Sequence, residues 1–184
     1  MAGHLSGKNI AVTGAGNGIG RSVAILCAKE GANVVVADYG VELDGSAPSS
    51  AVADEVVNQI KELGGNAIAV AGDVSESEVG QRIVETAIEA WGRIDGVACA
   101  AGILRERMLF NMTDEEFDDV VRVHLRGHFN VYRAASAVMR KQEGGGSILG
   151  FTSGAFVAST AQPNYSAAKG GVISLTKSAA FALK

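Results

Sequence analysis

The stretch Asn9-Ile10-Ala11-Val12-Thr13-Gly14-Ala15-Gly16-Asn17-Gly18-Ile19-Gly20 decides the fold of this chain. Its first five residues form an apolar run that is typical of a strand buried on both faces. Glycines follow at once, and a helical pattern continues from them to Gly31. A strand, a glycine-rich turn and a helix in immediate succession predict a phosphate-binding site, because glycines let the amides at a helix N-terminus approach a pyrophosphate.

The glycines of this turn are spaced Gly-x-x-x-Gly-x-Gly, through Gly14, Gly18 and Gly20. This spacing departs from the commoner dinucleotide fingerprint Gly-x-Gly-x-x-Gly. The alternative interpretation is a tight structural turn without a ligand. The strand and the helix on either side favour the phosphate-binding interpretation.

The second predicted strand, residues 32–37, ends in Asp38. An acidic residue about 20 positions past a glycine turn can accept hydrogen bonds from the ribose hydroxyls of a bound adenosine. It would also repel a 2′-phosphate. The glycine turn carries no lysine or arginine that would attract one, since Asn17 precedes Gly18. Both features favour NAD over NADP, although an aspartate that only caps a turn would give the same pattern.

Strand and helix signals alternate along the rest of the chain. Further strands are predicted at residues 66–70, 94–99 and 147–151, and helices at residues 51–63, 75–91, 113–142 and around Tyr165. The sequences Ser75-x-x-Glu78 and Thr113-x-x-Glu116 predict capping boxes at two of the helix starts. Right-handed crossovers then predict an α/β fold with one doubly wound, Rossmann-type parallel sheet and helices on both faces. The loop between Asp38 and residue 51 is unusually long, and either lines the adenine side or is a surface excursion.

Composition excludes several classes of protein. The chain has 184 residues, 47% of them hydrophobic, with a net charge of -4 and no basic footprint for nucleic acid. Arg122, Arg126 and Arg133 are interpreted as a solvated helix face, with an anionic substrate tail as the alternative. Cys27 and Cys99 lie in apolar runs and are predicted to be buried free thiols. No metal-ligand spacing, signal sequence or membrane span is present, so we predict a soluble cytoplasmic protein.

The pair Tyr165-x-x-x-Lys169 places a phenol and an ammonium on one face near the start of the last helix. The charge of the lysine favours the phenolate form of the tyrosine, which makes the tyrosine a usable proton donor and acceptor. Taken alone the pattern is weak, because most such pairs are ordinary helix-surface residues.

Asp73 follows the third predicted strand. It either binds the edge of the adenine ring or stabilises its own turn.

These motifs, in this order, resemble the short-chain dehydrogenases/reductases over essentially the whole chain. The resemblance is carried by residues 13–20, Asp38, Asp73-Val74, Ala100-Ala101-Gly102, a serine near residue 153, and Tyr165-x-x-x-Lys169. Residues 103–105, 123–127 and 162–169 look most like the D-3-hydroxyacyl-CoA dehydrogenase domains of multifunctional peroxisomal β-oxidation proteins. The resemblance implies an NAD-binding site formed by Gly14, Asn17, Gly18, Ile19, Gly20, Asp38, Asp73, Val74, Ala101, Gly102, Tyr165 and Lys169.

The resemblance also implies roles in catalysis. Tyr165 would be the general acid/base at the substrate oxygen, Lys169 would support it and bind the nicotinamide ribose, and Ser153 would hydrogen-bond the substrate oxygen. His124 stands where many members carry an asparagine that holds a proton-relay water. A histidine can donate and accept, so it can serve such a relay, although a packed structural histidine is the alternative. His4 and His128 are interpreted as surface or core residues without a role.

The chain departs from the family pattern in three further ways. The family serine usually lies thirteen positions before the tyrosine, which here is Thr152; Ser153, twelve before, is preferred if the loop is one residue shorter. The usual Asn-Asn-Ala-Gly is replaced by residues 99–102, Cys-Ala-Ala-Gly. The sequence stops at Lys184, whereas members continue with further strands and a substrate-covering segment. We therefore expect residues 1–184 to form a single, C-terminally truncated NAD-binding domain that lacks the last strands.

The leading hypothesis is an NAD-dependent oxidoreductase that interconverts a secondary alcohol and a ketone, with a 3-hydroxyacyl thioester or a hydroxysteroid as substrate. The alternatives are an NADPH-dependent 3-oxoacyl-thioester reductase, which Asp38 disfavours, and a non-catalytic dinucleotide-binding scaffold. Small residues at Ala167, Ala168, Gly170 and Gly171 would let another helix approach. The resemblance then implies a homodimer or homotetramer, although packing within the chain would require the same residues.

Overall fold

A single parallel sheet organises the computed structural model, which describes residues 3–183. Its strands are β1 (Asn9–Thr13), β2 (Asn33–Asp38), β3 (Asn66–Ala71), β4 (Gly96–Cys99) and β5 (Ser147–Gly150). Their order across the sheet is β3-β2-β1-β4-β5, and every pairing is parallel. The predicted α/β fold with a doubly wound sheet is thereby confirmed.

Six α-helices lie within residues 3–183 and cover the two faces of the sheet. They are α1 (Gly18–Lys29), α2 (Ala51–Glu62), α3 (Ser77–Trp91), α4 (Asp114–Val121), α5 (Gly127–Met139) and α6 (Pro163–Ala182). Helices α1 and α2 pack on one face of the sheet, and α3 and α5 pack on the other with part of α6. The chain order turns back at β1, because β2 and β3 lie on one side of β1 while β4 and β5 lie on the other.

Alternate residues of the central strands point to opposite cores, as strand geometry requires. Ala11 and Val35 belong to the core beneath α3 and α5, whereas Val12, Val34 and Val36 belong to the core beneath α1 and α2. All five side chains are fully buried. Both faces of these strands are therefore covered, which explains why their sequences are continuous apolar runs and do not alternate with polar residues.

The helix predicted over residues 113–142 is interrupted by a π turn, Arg122–Arg126, between α4 and α5. Its start is as predicted, since Thr113 and Glu116 form a complete capping box. The capping box predicted at Ser75 is wrong, because α3 begins at Ser77 and the Ser75 hydroxyl accepts a hydrogen bond from the Arg122 guanidinium instead. At both places a residue contacts a partner far away in the sequence: Ser75 contacts Arg122, and His124 in the π turn contacts Ile103.

An asparagine ladder joins the N-terminal ends of three strands. Asn9, Asn33 and Asn66 lie side by side in the register of β1, β2 and β3. The Asn33 side-chain amide donates to Asn9 Oδ1 at 2.8 Å, and the Asn66 amide donates to Asn33 Oδ1 at 3.1 Å. Asn9 in turn donates to the carbonyl of Arg93 at 3.0 Å. The ladder therefore ties the three strands together at the sheet edge opposite the glycine turn.

The two cysteines, both predicted to be buried, differ in their exposure. Cys99 is buried as predicted, and burial raises the pKa of its thiol to about 12. Cys27 is only half-buried, because it lies on α1 at the margin of the core beneath that helix. Within residues 3–183, no helix is long and apolar enough to cross a membrane, and no cluster of side chains could hold a metal ion.

Candidate active site

The glycine-rich turn after β1 has a conformation that requires glycine. Gly14 and Gly18 both have positive φ angles, 65° and 52°. A Cβ atom on Gly14 would come within 2.7 Å of the Ala101 backbone, and one on Gly20 would overlap the Gly14 carbonyl oxygen. Asn17 precedes α1 without a side-chain capping bond. Backbone amides at this helix start are thus accessible to an anionic ligand, with no side chain in the way.

Asp38 is fixed at the end of β2 by the neighbouring backbone. Its Oδ2 accepts from the Gly16 amide at 2.7 Å, and its Oδ1 accepts from the Gly40 amide at 2.6 Å. Because each carboxylate oxygen has more than one acceptor site, the group can still accept from ligand hydroxyls. The bond to Gly16 joins the carboxylate directly to the glycine turn.

A cleft of about 710 Å³ opens above the carboxyl ends of the strands, where the strand order turns back beside β1. Ligand sites of doubly wound sheets occur at this position. The described residues that line the cleft include all of those predicted to bind the cofactor: Gly14, Asn17, Gly18, Ile19, Gly20, Asp38, Asp73, Val74, Ala101, Gly102, Tyr165 and Lys169. Their roles stay predictions, but their placement around one cleft is what those roles require.

Tyr165 lies in the first turn of α6, and Asn164 holds that turn in place. The buried side-chain amide of Asn164 donates to the carbonyls of Arg105 and Glu116 at 2.9 and 2.8 Å, and its oxygen accepts from the Tyr165 amide at 2.8 Å. Sequence reasoning missed Asn164 as a functional residue, although it stands directly before the tyrosine. Two of these bonds tie the start of α6 to α4 and to the segment after β4, and the third holds the first turn of α6 itself.

Lys169 lies one helical turn beyond Tyr165, with its ammonium 5.5 Å from the centre of the tyrosine ring. The side chain is buried, and Nζ donates to the carbonyl of Phe151 at 2.6 Å. Burial lowers the pKa of Lys169 to about 8. Near neutral pH this places a positive charge beside the phenol in the floor of the cleft, as the spacing of the two residues predicts.

Two hydroxyl groups lie near the end of β5, and they differ in their surroundings. Thr152 lines the cleft, and its hydroxyl donates to the Lys169 carbonyl at 3.1 Å. Ser153 is outside the described residues that line the cleft, and its Oγ accepts from the Ala155 amide at 3.3 Å. Both hydroxyls hold backbone groups in this structure. The preference for Ser153 over Thr152 stays a prediction.

His124 is buried in the π turn, with its ring edge-on to Tyr165 at a centroid distance of 5.1 Å. Its Nε2 lies 2.8 Å from the Ile103 carbonyl oxygen and 3.2 Å from the Ile103 amide. Burial, together with the charge of Lys169, lowers the pKa of His124 to about 3. The imidazole is therefore neutral, and its Nδ1 has no hydrogen-bond partner among the described residues.

Gly102 makes room for this histidine, because a Cβ atom there would overlap Cε1 of His124. We expect Gly102→Ala to lower the free energy of unfolding by about 1–3 kcal/mol, as overpacking of a buried site does. The matched control is Gly170→Ala in α6, where a Cβ would meet nothing within 4 Å. That control should instead gain up to about 1 kcal/mol from helix propensity. Urea denaturation measures both, and equal stability of Gly102→Ala and wild type would contradict the proposed packing.

Asp73 both lines the cleft and ties down its turn, so the two interpretations of this residue are compatible. It accepts from the Ser75 amide at 2.9 Å and forms an ion pair with Arg122 at 2.6 Å. Burial opposes ionisation, but the bonds from Ser75 and Arg122 hold the pKa of Asp73 below its usual value. The interpretation of Arg122 as part of a solvated face is therefore wrong.

Arg122 belongs to a chain of charges along the cleft that sequence reasoning missed. Asp119 lies 3.6 Å from Arg122 and 3.4 Å from Arg105, and all three residues line the cleft with Asp73. The helical spacing of Asp119 and Arg122 is the one sequence signal that could have indicated this chain of charges.

The loop after Asp38 also lines the cleft, and the Leu104 amide donates to the Leu43 carbonyl at 2.9 Å. This loop is therefore a wall of the cleft.

Comparison with known proteins agrees with this geometry. A family model described as short chain dehydrogenase matches residues 8–184. The chain is 44% identical over 187 residues to "Hydroxyacyl-CoA dehydrogenase ChsB1" of Mycobacterium tuberculosis, covering 97% of this chain and 57% of that protein. It is 42% identical over 171 residues to "Peroxisomal multifunctional enzyme type 2" of Mus musculus, covering 93% of this chain and 23% of that protein.

A solved short chain dehydrogenase from Mycobacterium avium superposes with a TM-score of 0.89 and 43% identity, over 96% of this chain and 65% of that one. The parallel sheet, the glycine turn after β1 and the Tyr165–Lys169 pair in one cleft agree with this match. The chain belongs to the short-chain dehydrogenase family. It spans less than two thirds of the length of each of these three proteins.

Proposed function

We propose that the protein is an NAD-dependent oxidoreductase that interconverts a secondary alcohol and a ketone. The observation that carries the proposal is the placement of Tyr165 and Lys169 in the same cleft as the glycine turn and Asp38. A protein that only bound a dinucleotide would not need the phenol–ammonium pair. The pair therefore favours catalysis over the scaffold alternative.

The cleft fits a nicotinamide dinucleotide, because Gly18 lines it and a Cβ atom there would meet nothing within 4 Å, so the backbone of the turn is open to a ligand. The amides near Gly18 and Ile19 would hold the pyrophosphate, and Asp38 the adenosine ribose. Asp73 and Val74 would lie against adenine, with Ala101, Gly102 and Lys169 on the nicotinamide side. When bound, the cofactor accepts or delivers the hydride of the reaction.

The residues of the chain would handle the proton and orient the substrate. The Tyr165 phenolate takes the proton of the alcohol, and the resulting phenol returns it to the ketone oxygen in the reverse direction. The ammonium of Lys169 favours the phenolate, and the hydroxyl of Ser153 or Thr152 donates to the substrate oxygen. Neutral His124, edge-on to Tyr165, can pass a proton because an imidazole both donates and accepts.

The substrate class we favour is a 3-hydroxyacyl thioester, with a hydroxysteroid as the alternative. The support comes from the names of the relatives, one a hydroxyacyl-CoA dehydrogenase and another a peroxisomal multifunctional enzyme. The cytoplasmic location stays a prediction, as does assembly into a homodimer or homotetramer. Packing within the chain already accounts for Gly171, since a Cβ there would come within 2.8 Å of Leu125.

Asp38→Ala tests the choice of cofactor. The wild type is expected to prefer NAD, and the variant to lose about tenfold of that preference, because it no longer repels a 2′-phosphate or binds the ribose. Since Asp38 also holds the Gly16 and Gly40 amides, both cofactors will bind less tightly, and the ratio of kcat/KM for NAD and NADP is the quantity to measure.

The matched control is Asp54→Ala, which removes an exposed carboxylate from α2. The assay uses the complete polypeptide that carries this sequence, with 3-hydroxyacyl-CoAs, hydroxysteroids and a simple secondary alcohol as substrates. An unchanged NAD/NADP ratio in Asp38→Ala would rule out the ribose contact. Absence of turnover with every substrate would refute the proposed activity.

A further inference from the structure

His128 is one helical turn beyond His124 and lies wholly inside the protein, with 2% of its surface exposed. Its Nδ1 lies 2.5 Å from the backbone carbonyl oxygen of His124. A carbonyl oxygen only accepts, so Nδ1 carries the hydrogen. Nε2 makes no close hydrogen bond among the described residues, although a weaker interaction with the Cys99 backbone opposes the lowering of the pKa. Burial, together with the charge of Lys169, lowers the pKa of His128 to about 4, so the ring is neutral, and the short contact with the His124 carbonyl favours the tautomer with its hydrogen on Nδ1.

The carbonyl that His128 contacts lies in the π turn. There the Gly127 amide reaches the Arg122 carbonyl, five residues back, and also contacts the His124 carbonyl. Regular helices use bonds four residues long, so this turn holds one residue more than its neighbours. A side chain that bonds to a carbonyl in the interrupted ladder is a recognised cause of such a distortion.

The residues packed around His128 restrict its ring to one position. A Cβ atom on Gly150, at the end of β5, would overlap the Tyr132 hydroxyl and lie 3.2 Å from Cδ2 of His128. The ring of Tyr132 lies 5.9 Å away at an angle of 60°. The Tyr132 hydroxyl is itself held by Thr176 of α6 at 2.9 Å. The imidazole is thus confined between β5 and the helices, with Nδ1 directed at the turn.

We propose that His128 is a positioning residue for the candidate active site: its Nδ1 bond holds the π turn, and the turn sets the His124 ring edge-on to Tyr165. The inference rests on the proposed function of His124 and Tyr165. The proposal gives a functional role to His128, which the sequence indicates to be a surface or core residue without one.

The consequence of losing the bond follows from helix geometry. The His124 carbonyl would lose one of its donors and keep the contact with the Gly127 amide, so the turn can relax to the regular helical register. A shift of one residue rotates a helix position by about 100°. Such a rotation would carry the His124 ring away from Tyr165 and from the space that Gly102 leaves for it. The glycine turn and Asp38 are on other elements and would be unaffected.

The first test measures the bond in the wild-type protein and does not depend on turnover. Nitrogen-15 NMR of the histidine side chains at pH 7 should show His128 with its hydrogen on Nδ1. A hydrogen on Nε2 would overturn the inference. If the wild type proved inactive, the proposed function would be refuted, while the tautomer would still decide whether this bond exists.

The second test compares His128→Phe with His128→Asn. Phenylalanine fills the space without a donor, and we expect kcat to fall about tenfold, with KM for the substrate and the Kd for NAD close to wild type. Asparagine can place its Nδ2 where Nδ1 was, and it should restore most of kcat. The matched control is Tyr132→Phe, which removes the bond to Thr176 one turn further along α5.

Tyr132→Phe should lower Tm without changing kcat, as expected of a purely structural hydroxyl. Wild-type kcat in His128→Phe, an equal loss in Tyr132→Phe, or failure of His128→Asn to restore activity would each overturn the inference. If His128→Phe did not fold, the tautomer and the His128→Asn variant would still decide it.

Discussion

Replacement of Tyr165 by phenylalanine is expected to lower kcat by about 10²–10⁴-fold, the range that a positioned general acid/base supplies. The change deletes one oxygen and leaves the aromatic ring beside His124 and Lys169. The Kd for NAD should therefore stay close to that of the wild type. Steady-state kinetics in both directions, together with a direct titration of NAD, measure the two quantities separately.

The matched control for Tyr165→Phe is Tyr132→Phe, which removes a hydroxyl from α5 at the bond to Thr176. If the two variants retained the same turnover, the proton of the substrate would have to be handled elsewhere. His124 would then be the first alternative, because it is the other titratable ring in contact with this part of the cleft.

Lys169→Met is expected to lower kcat by about 10²-fold or more, since the phenolate of Tyr165 loses the only ammonium that contacts its ring among the described residues. Unlike Tyr165→Phe, it should also weaken NAD binding, because Lys169 is proposed to contact the nicotinamide ribose. The control is Lys177→Met, an exposed lysine on the same helix. Wild-type kcat in Lys169→Met would contradict the assigned role.

The same variant gives a prediction for stability against pH. Folded Lys169 loses its proton at a pKa of about 8, whereas the unfolded chain loses it near 10.5. Between these values the unfolded state binds more protons, so the wild type gains stability as pH rises. Relative to Lys169→Met, its free energy of unfolding should rise by roughly 3 kcal/mol between pH 8 and 10.5. Denaturation at several pH values measures this slope, and parallel curves would contradict the pKa.

Much of the fold could be predicted from the sequence because its signals are local. The apolar runs of β1 and β2 and the glycine turn each depend on neighbours in the chain. The residues predicted to bind the cofactor line one cleft because strands in a parallel sheet bring their carboxyl ends to one edge, where residues after different strands meet; their role in binding stays a prediction. Asp38 and Tyr165 line the same cleft, although no pattern in the sequence links the two positions directly.

The features that escaped prediction depend on partners far apart in the sequence. The π turn lies inside a stretch predicted to be one continuous helix, and it is distinguished by the contact of His124 with the segment after β4 and of His128 with the His124 carbonyl. The pairing of Arg122 with Asp73 spans two elements, so Arg122 alone indicated only an exposed helix face. Asn164 was missed because its partners, the carbonyls of Arg105 and Glu116, leave no trace in side-chain patterns.

The asparagine ladder has a consequence for catalytic geometry at the far end of the sheet. Gly14 follows Asn9 by five positions, and Asp38 follows Asn33 by five. The hydrogen bond between the Asn9 and Asn33 side chains therefore supports the strand register that brings Gly14 and Asp38 to the same level at the far end of the sheet. Deleting one residue from either strand would turn its side chains over and bring a different residue to that height. Under the proposed function, the asparagine ladder thus helps to place the carboxylate that selects the coenzyme, from the opposite end of the strand.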